Sequence, residues 1–501
     1  MPDGNSLLSG ILGRKYIVNL DSQQGLRCII FLYGNREEKQ RMELSSNKNQ
    51  MLFEEMRVPK ALATLAIPTI ISQLITFLYN LADAYFVGRT GNAYMIAAVS
   101  LVYPVFSMTS ALANLFGVGG GSLISRLLGA KEEGQARKVC LFSVFSSVAV
   151  AALFSSLCFL FLNPLLLLLG ASSQTIGYAR QYMLYILVYG GVPTVLSATM
   201  AHLLRSIGYA RHASIGLILS AAFDFVFDPV FMFVIFPEGQ EVIGCAVATM
   251  LSGMLAAVYF MIVFLKLKDK TILCMNPKLG FPEKENIISI CSVGLPSALT
   301  VFLYQIANVF LNALMSKHGD SAVAALGIVL KAERLPLDIS IGLCQGMLPL
   351  IAYNYASKRL KRMNDVVNVS RYAGIAIAAV SIFLYEMFSG GVIRIFISTS
   401  GGNTMETVET VAQGIQFIRY RCLAAPFAFM NFHITYTLQA MGDGKTTLLL
   451  AVLRQCLFYI PIMFVMNSLL GAQGLVMTQF ISEIMALCIA FSIFRKKKLM
   501  N

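Results

Sequence analysis

Two aspartates, Asp224 and Asp228, stand four residues apart in the otherwise apolar stretch SAAFDFVFDPVFMF (220–233). On a helix that spacing puts both carboxylates on one face, with Cβ atoms roughly 6 Å apart. Inside a bilayer an ionised carboxylate costs roughly 2.5–3.5 kcal/mol on insertion scales. Two so close resist simultaneous ionisation and titrate as a unit. Pro229 follows directly and has no N–H, so the Phe225 carbonyl beside the carboxylates loses its helical partner. Carboxylates, a freed carbonyl and a nearby hydroxyl are oxygen ligands suited to a proton or a small hard cation. The plainer alternative makes Asp228 a helix-end cap near the outer surface, but it leaves the deeper Asp224 unexplained.

Two other apolar stretches carry charge. Asp83 lies in YNLADAYFVG, one turn beyond Asn80; it is either a second wall of the same ion site or a helix-end residue at the interface, since Gly88, Arg89 and Gly91 follow. In GIVLKAERLPLDISIGL, Lys331, Arg334 and Asp338 fall at i, i+3 and i+7, one stripe of a helix, while Glu333 points elsewhere. A lipid-facing placement is too costly, so the stripe faces protein or a water-filled cavity, as an interhelical ion pair or as part of a functional site.

The elements that position these residues follow from composition. Of 501 residues, 57% are hydrophobic and 13% charged, the mean hydropathy is +0.69, and apolar runs of span length recur throughout. The chain is expected to be an all-α polytopic membrane protein. Twelve spans are predicted, at about 61–87, 93–121, 138–162, 178–204, 212–236, 243–265, 287–316, 321–352, 366–388, 410–437, 445–467 and 471–494. Basic residues crowd into alternate loops: Arg57 and Lys60; Lys131, Arg137 and Lys138; Arg205 and Arg211; five lysines between 266 and 284; Lys358 to Arg362; Lys445; and RKKK at 495–498. The other loops hold little beyond Arg89, Lys317 and Arg394. By the positive-inside rule both termini are cytoplasmic, and the net charge of +13 is topology rather than a nucleic-acid footprint.

The halves repeat. IPTIISQLITFLYNLADAYFVGRTG (67–91) overlies LPSALTVFLYQIANVFLNALMSKHG (295–319) at constant offset, aligning Pro68 with Pro296, Asn80 with Asn308 and Gly91 with Gly319. GVGGGSLISRLLGAK corresponds to CQGMLPLIAYNYASK, and LLRSIGYARHASIGL to TLQAMGDGKTTLLLA. Six spans repeated in parallel give a two-lobed transporter with a central cleft: lobes at 51–265 and 287–501, a cytoplasmic linker at 266–286, and an extension at 1–50 to which no function is assigned.

Other chemistries find no support. Ten cysteines are scattered singly without C-x-x-C, and the four histidines sit apart, so neither a disulfide framework, a metal centre nor an enzyme is expected. GDGKTT (442–447) has Gln439 where a phosphate loop requires Gly, and no strand precedes it, so no ATP is expected and energy must come from an ion gradient.

The segments LAIPTIISQLITFLYNLADAYFVGRTG, LFGVGGGSLISRLLGAK, LRSIGYARHASIGLILSAAFDFVFDPVFMFV, GCAVATMLS and GLCQGMLPLIAYNYASK together resemble the multidrug and toxic-compound extrusion (MATE) family, in its bacterial DinF/MepA-like branch. The likeness runs from about 55 to 495, in register with the repeat. It implies a plasma-membrane antiporter, expected as a monomer and without a cofactor, expelling cationic and amphipathic drugs in exchange for H⁺ or Na⁺. It also implies that Asp83, Asp224, Asp228 and Thr249 handle the coupling ion; Asn80, one turn before Asp83, is expected to join them by its position. The branch carries Asn where Asp224 stands, which leaves the ion's identity open; its NYGAK ending reads NYASK here, and a glutamine after the span-six Ser is replaced by Gly253. A flippase for lipid-linked precursors is the alternative of related architecture.

Overall fold

The computed structural model describes residues 51–268, 270–273, 275, 279–397 and 405–498, so the extension at 1–50 lies outside the described residues. The described residues are chiefly helical, with the long helices α1 (Val58–Arg89), α2 (Ala93–Gly129), α3 (Glu133–Leu160), α4 (Gly191–Ser206), α5 (Ala210–Val230), α6 (Glu241–Leu267), α7 (Lys284–Met315), α8 (Asp320–Ala356), α9 (Leu360–Ile397), α10 (Ala425–Met441) and α12 (Ile460–Lys498) and the shorter α11 (Gly444–Val452). Among the described residues nine helices are long and apolar enough to cross a membrane, or ten if Ile176–Tyr189 and α4, bent by 48°, make one span. Two places account for the difference from the expected twelve. The stretch Gly444–Lys496 passes as one apolar segment, yet Gly471 breaks it with φ 58° and ψ −136°, a conformation open to glycine. Met405–Cys422, which leads into α10, carries Glu409, Arg419 and Arg421 and falls short of the apolar criterion.

The basic loops gather at one end of the bundle, and there the two halves of the chain are tied together. Ser122 on α2 donates to the Gln439 carbonyl on α10 at 2.6 Å, and Arg126 reaches Ser289 on α7 at 3.1 Å. Backbone meets backbone through glycine. A Cβ on Gly294 of α7 would lie 1.9 Å from the Leu115 carbonyl oxygen, and one on Gly129 would lie 2.3 Å from that of Tyr353. No side chain fits at either place. α8 is sheathed over most of its length, packing on α1 and α2 of the first half as well as on α9 and α10.

One contact at this end has no sequence-level signal. Met51–Glu55, a short π-helical turn ahead of α1, docks on the corner between α8 and α9. Phe53 is fully buried and stacks on Tyr353 with ring centroids 4.8 Å apart. Glu54 accepts from Tyr353 Oη at 2.7 Å and from Arg359 at 2.5 Å, and Arg362 donates to the carbonyls of Phe53 (2.7 Å) and Met56 (2.6 Å). The segment joining α6 to α7 is held on the other side: Ile272 and Leu273 are buried against the first half, and Gln135 of α3 bonds Glu283 at 2.5 Å.

Candidate coupling-ion site

Three helices converge on the aspartates. α5 carries Asp224 and Asp228, 1% and 0% exposed, on the face expected from their spacing. Asp83 on α1 faces Asp228 carboxyl to carboxyl within hydrogen-bonding reach. α6 supplies the third wall: Thr249 and Ser252 stand beside Asp224, and Cys245 completes the stripe one turn earlier. α5 and α6 are pinned together by Ser220, which donates to the Ser252 carbonyl at 2.9 Å. Pro229 lies inside the helical run, which passes directly into the π-helical turn Phe231–Ile235.

The site is short of hydrogen atoms. Asp83 Oδ1, Asp224 Oδ1, both carboxylate oxygens of Asp228 and Thr249 Oγ1 are buried without a well-formed hydrogen bond. Ionised carboxylates are acceptors only, and the hydroxyls of Thr249 and Ser252 beside Asp224 are too few to serve every orphaned oxygen; a buried acceptor left unpaired costs about 1–3 kcal/mol. Protons bound here would supply the missing donors, and a small cation would supply the opposing charge. Among the described residues no group of three or more His, Cys, Asp or Glu side chains is arranged to hold a metal ion. A cation here would therefore draw on hydroxyl and carbonyl oxygens as well as on the acids.

Two tyrosines that the sequence reading passed over approach the acids. Tyr79 lies one turn before Asp83 on α1, and Tyr182 comes from the bent helix Ile176–Met183. The i,i+4 spacing of Tyr79 and Asp83 was a usable signal; nothing local marks Tyr182. Asn80 is not drawn in: it is exposed and donates to the Thr76 carbonyl of its own helix at 2.8 Å.

The second half treats its buried acids differently. Arg334 and Asp338 pair at 3.1 Å with the arginine 47% exposed and the aspartate 8%. Tyr103 of α2 and Tyr304 of α7 stand close by, so the pair sits at the seam between halves, with Lys331 exposed one turn away. Glu333 turns away to Arg421, which binds it through Nε and, at 2.7 Å, through Nη2. Glu483 is held by Arg454 (Nε to Oε1, 2.9 Å), Asn431 (2.7 Å) and Gln479 (2.8 Å). Each of these acids has an arginine. The three aspartates of the first half have none among the described residues.

The MatE family model matches the chain twice, over residues 68–230 and 296–465. The chain belongs to the MATE family. The two matches begin at Pro68 and Pro296, the residues that the internal repeat aligns. Multidrug export protein MepA of Staphylococcus aureus (strain MRSA252) is 31% identical over 436 residues, covering 86% of this chain and 92% of that protein. The MepA protein of Staphylococcus saprophyticus is 31% identical over 431 residues with the same coverage. Among solved structures, a MATE protein in complex with MaL6 superposes with a TM-score of 0.83 at 23% identity, covering 90% of this chain and 98% of the other. A MOP superfamily transporter from Pyrococcus furiosus superposes with a TM-score of 0.82 at 24% identity, covering 90% and 97%. The chain is thus a MepA-like member of the MATE family with an all-α, multi-pass membrane fold.

Proposed function

We propose that this MATE protein is a multidrug efflux antiporter of the bacterial plasma membrane. It expels cationic and amphipathic compounds against an inward flow of protons, with Na⁺ as the competing ion. Asp83, Asp224 and Asp228 carry the coupling charge, and Thr249 stands beside them. One observation carries the reading: two buried aspartates, Asp224 and Asp228, and the half-buried Asp83, with no basic partner among the described residues and with orphaned oxygens on all three. An acid facing an acid is satisfied directly by a shared proton, which favours H⁺. The names and coverage of the MepA relatives support export of drugs.

The lobes are 51–265 and 287–501, joined at 266–286, and they rock about the central cleft. The basic loops support an orientation with the sealed end, where Ser122 meets Gln439, at the cytoplasm together with both termini. The seam at Tyr103 and Arg334 then faces the proposed outward-opening cleft. Loading the aspartates removes their mutual repulsion and lets the first lobe repack. A flippase for lipid-linked pyrophosphates calls for a strongly cationic cavity; Lys331 and Arg334 are the only support for it, and Asp338 neutralises the arginine.

The test is ethidium efflux from liposomes holding the purified protein, with a pH or a Na⁺ gradient imposed separately. Efflux driven by the pH gradient alone supports proton coupling, and efflux driven by Na⁺ alone reassigns the ion. Silence under both, together with fluorescent-lipid scrambling, moves the assignment to a flippase. Asp224→Asn, which restores the branch's usual residue, should keep at least half of the wild-type efflux rate. Complete loss there would make Asp224 essential in its own right.

A further inference from the structure

A second polar site lies far from the aspartates, inside the sealed end. A small cavity of about 20 Å³ is lined by Gly117, Gly121 and Ser122 of α2, by His202, Arg205 and Ser206 of α4, by Gln345 of α8 and by Tyr436 of α10. It sits where equivalent positions of the repeat meet: His202 matches Tyr436, Arg205 matches Gln439, and Gly117 matches Cys344. The match breaks in charge, because Arg205 has a neutral glutamine as its counterpart.

Arg205 is only 5% exposed, and its Nε and Nη2 atoms are buried without a hydrogen-bond partner. A guanidinium carries five donors in a fixed fork and stays charged. Buried cations are normally paired, and the cavity lining contains no acid to pair this one. His202, Tyr436 and Gln345 share the cavity wall with it, the last with a buried Oε1 that also has no hydrogen-bond partner.

We propose that this cavity binds a small inorganic anion of chloride's size, held by the Arg205 fork. Its walls come from α2 and α4 on one side and from α8 and α10 on the other, so the site exists whole only while this end is shut. Anion binding therefore stabilises the state sealed at the basic end and is lost when the halves part. The site is independent of the aspartates and of the transported compound.

The experiment is thermal unfolding of the full-length protein in detergent, titrated with sodium chloride or with sodium gluconate at matched ionic strength and constant Na⁺. Chloride should raise the midpoint saturably, on the order of 2 °C above gluconate. Arg205→Met should erase that difference. Arg205→Lys, which keeps the charge without the planar fork, should move saturation to higher chloride and covers the case in which the methionine variant does not fold. Superimposable curves for the wild type in the two salts, or an undiminished chloride response in either variant, would overturn the proposal. Because unfolding reads no transport, this result and that of the gradient experiment are separable.

Discussion

Asp83→Asn and Asp228→Asn each lose gradient-driven export while the protein still folds and still binds drug. Asn has nearly the volume of Asp, so packing among α1, α5 and α6 is preserved. What disappears is the charge that the proposed coupling ion would compensate. One elementary charge crossing 100 mV yields about 2.3 kcal/mol, roughly a fiftyfold bias in the distribution of drug. The variants should therefore show a gradient-driven accumulation ratio reduced about fiftyfold, alongside unaltered dye binding by fluorescence polarisation. Thermal stability should not fall, since neither residue has a basic partner to orphan. Wild-type export by either variant would make that carboxylate structural.

Arg421→Met acts on stability instead. Arg421 holds Glu333 with two of its nitrogens inside the second half, where the arginine side chain is 3% exposed. Removing the cation strands a carboxylate among apolar walls, an effect of about 3–5 kcal/mol for a buried pair that loses one partner. The variant should unfold at markedly lower temperature in detergent and be poorly recovered from membranes. The double variant Arg421→Met/Glu333→Leu removes both charges and should regain most of the loss, because apolar replacement of a buried pair is often neutral or better. A double variant as fragile as the single would mean that Arg421 acts through contacts other than Glu333. The same substitutions should leave the ion preference of export untouched, which separates this pair from the aspartates.

Much of the candidate site was legible because local spacing carried it. Asp224 and Asp228 are deviations from an apolar background at a helical interval, and the structure buries both on one face of α5. Arg334 and Asp338 were readable for the same reason. Partners supplied from afar were not: Glu333 and Arg421 are 88 residues apart, and nothing in either segment names the other. Thr249 was reached only through the family resemblance, although Cys245, Thr249 and Ser252 form a stripe along α6. Asn80, included for its place in the repeat, turned out to bond its own helix. The sequence placed a crossing at 410–437, and the structure builds it from Met405–Cys422 and α10; the charges Glu409, Arg419 and Arg421 keep the first of these below the apolar criterion that the other spans pass.

The turn at Met51–Glu55 bears on how the pump behaves when it has no power. Those few residues precede the first helix yet grip the α8–α9 corner of the opposite half, through a buried ring, a carboxylate and three carbonyls. In the proposed orientation and rocking motion, opening the basic end would peel that grip away and closing it would re-form it. Without a gradient to supply the work, the proposed pump would come to rest with its inner door fastened. A de-energised cell would then hold a valve that fails shut, and drug outside would find no passage inward through it.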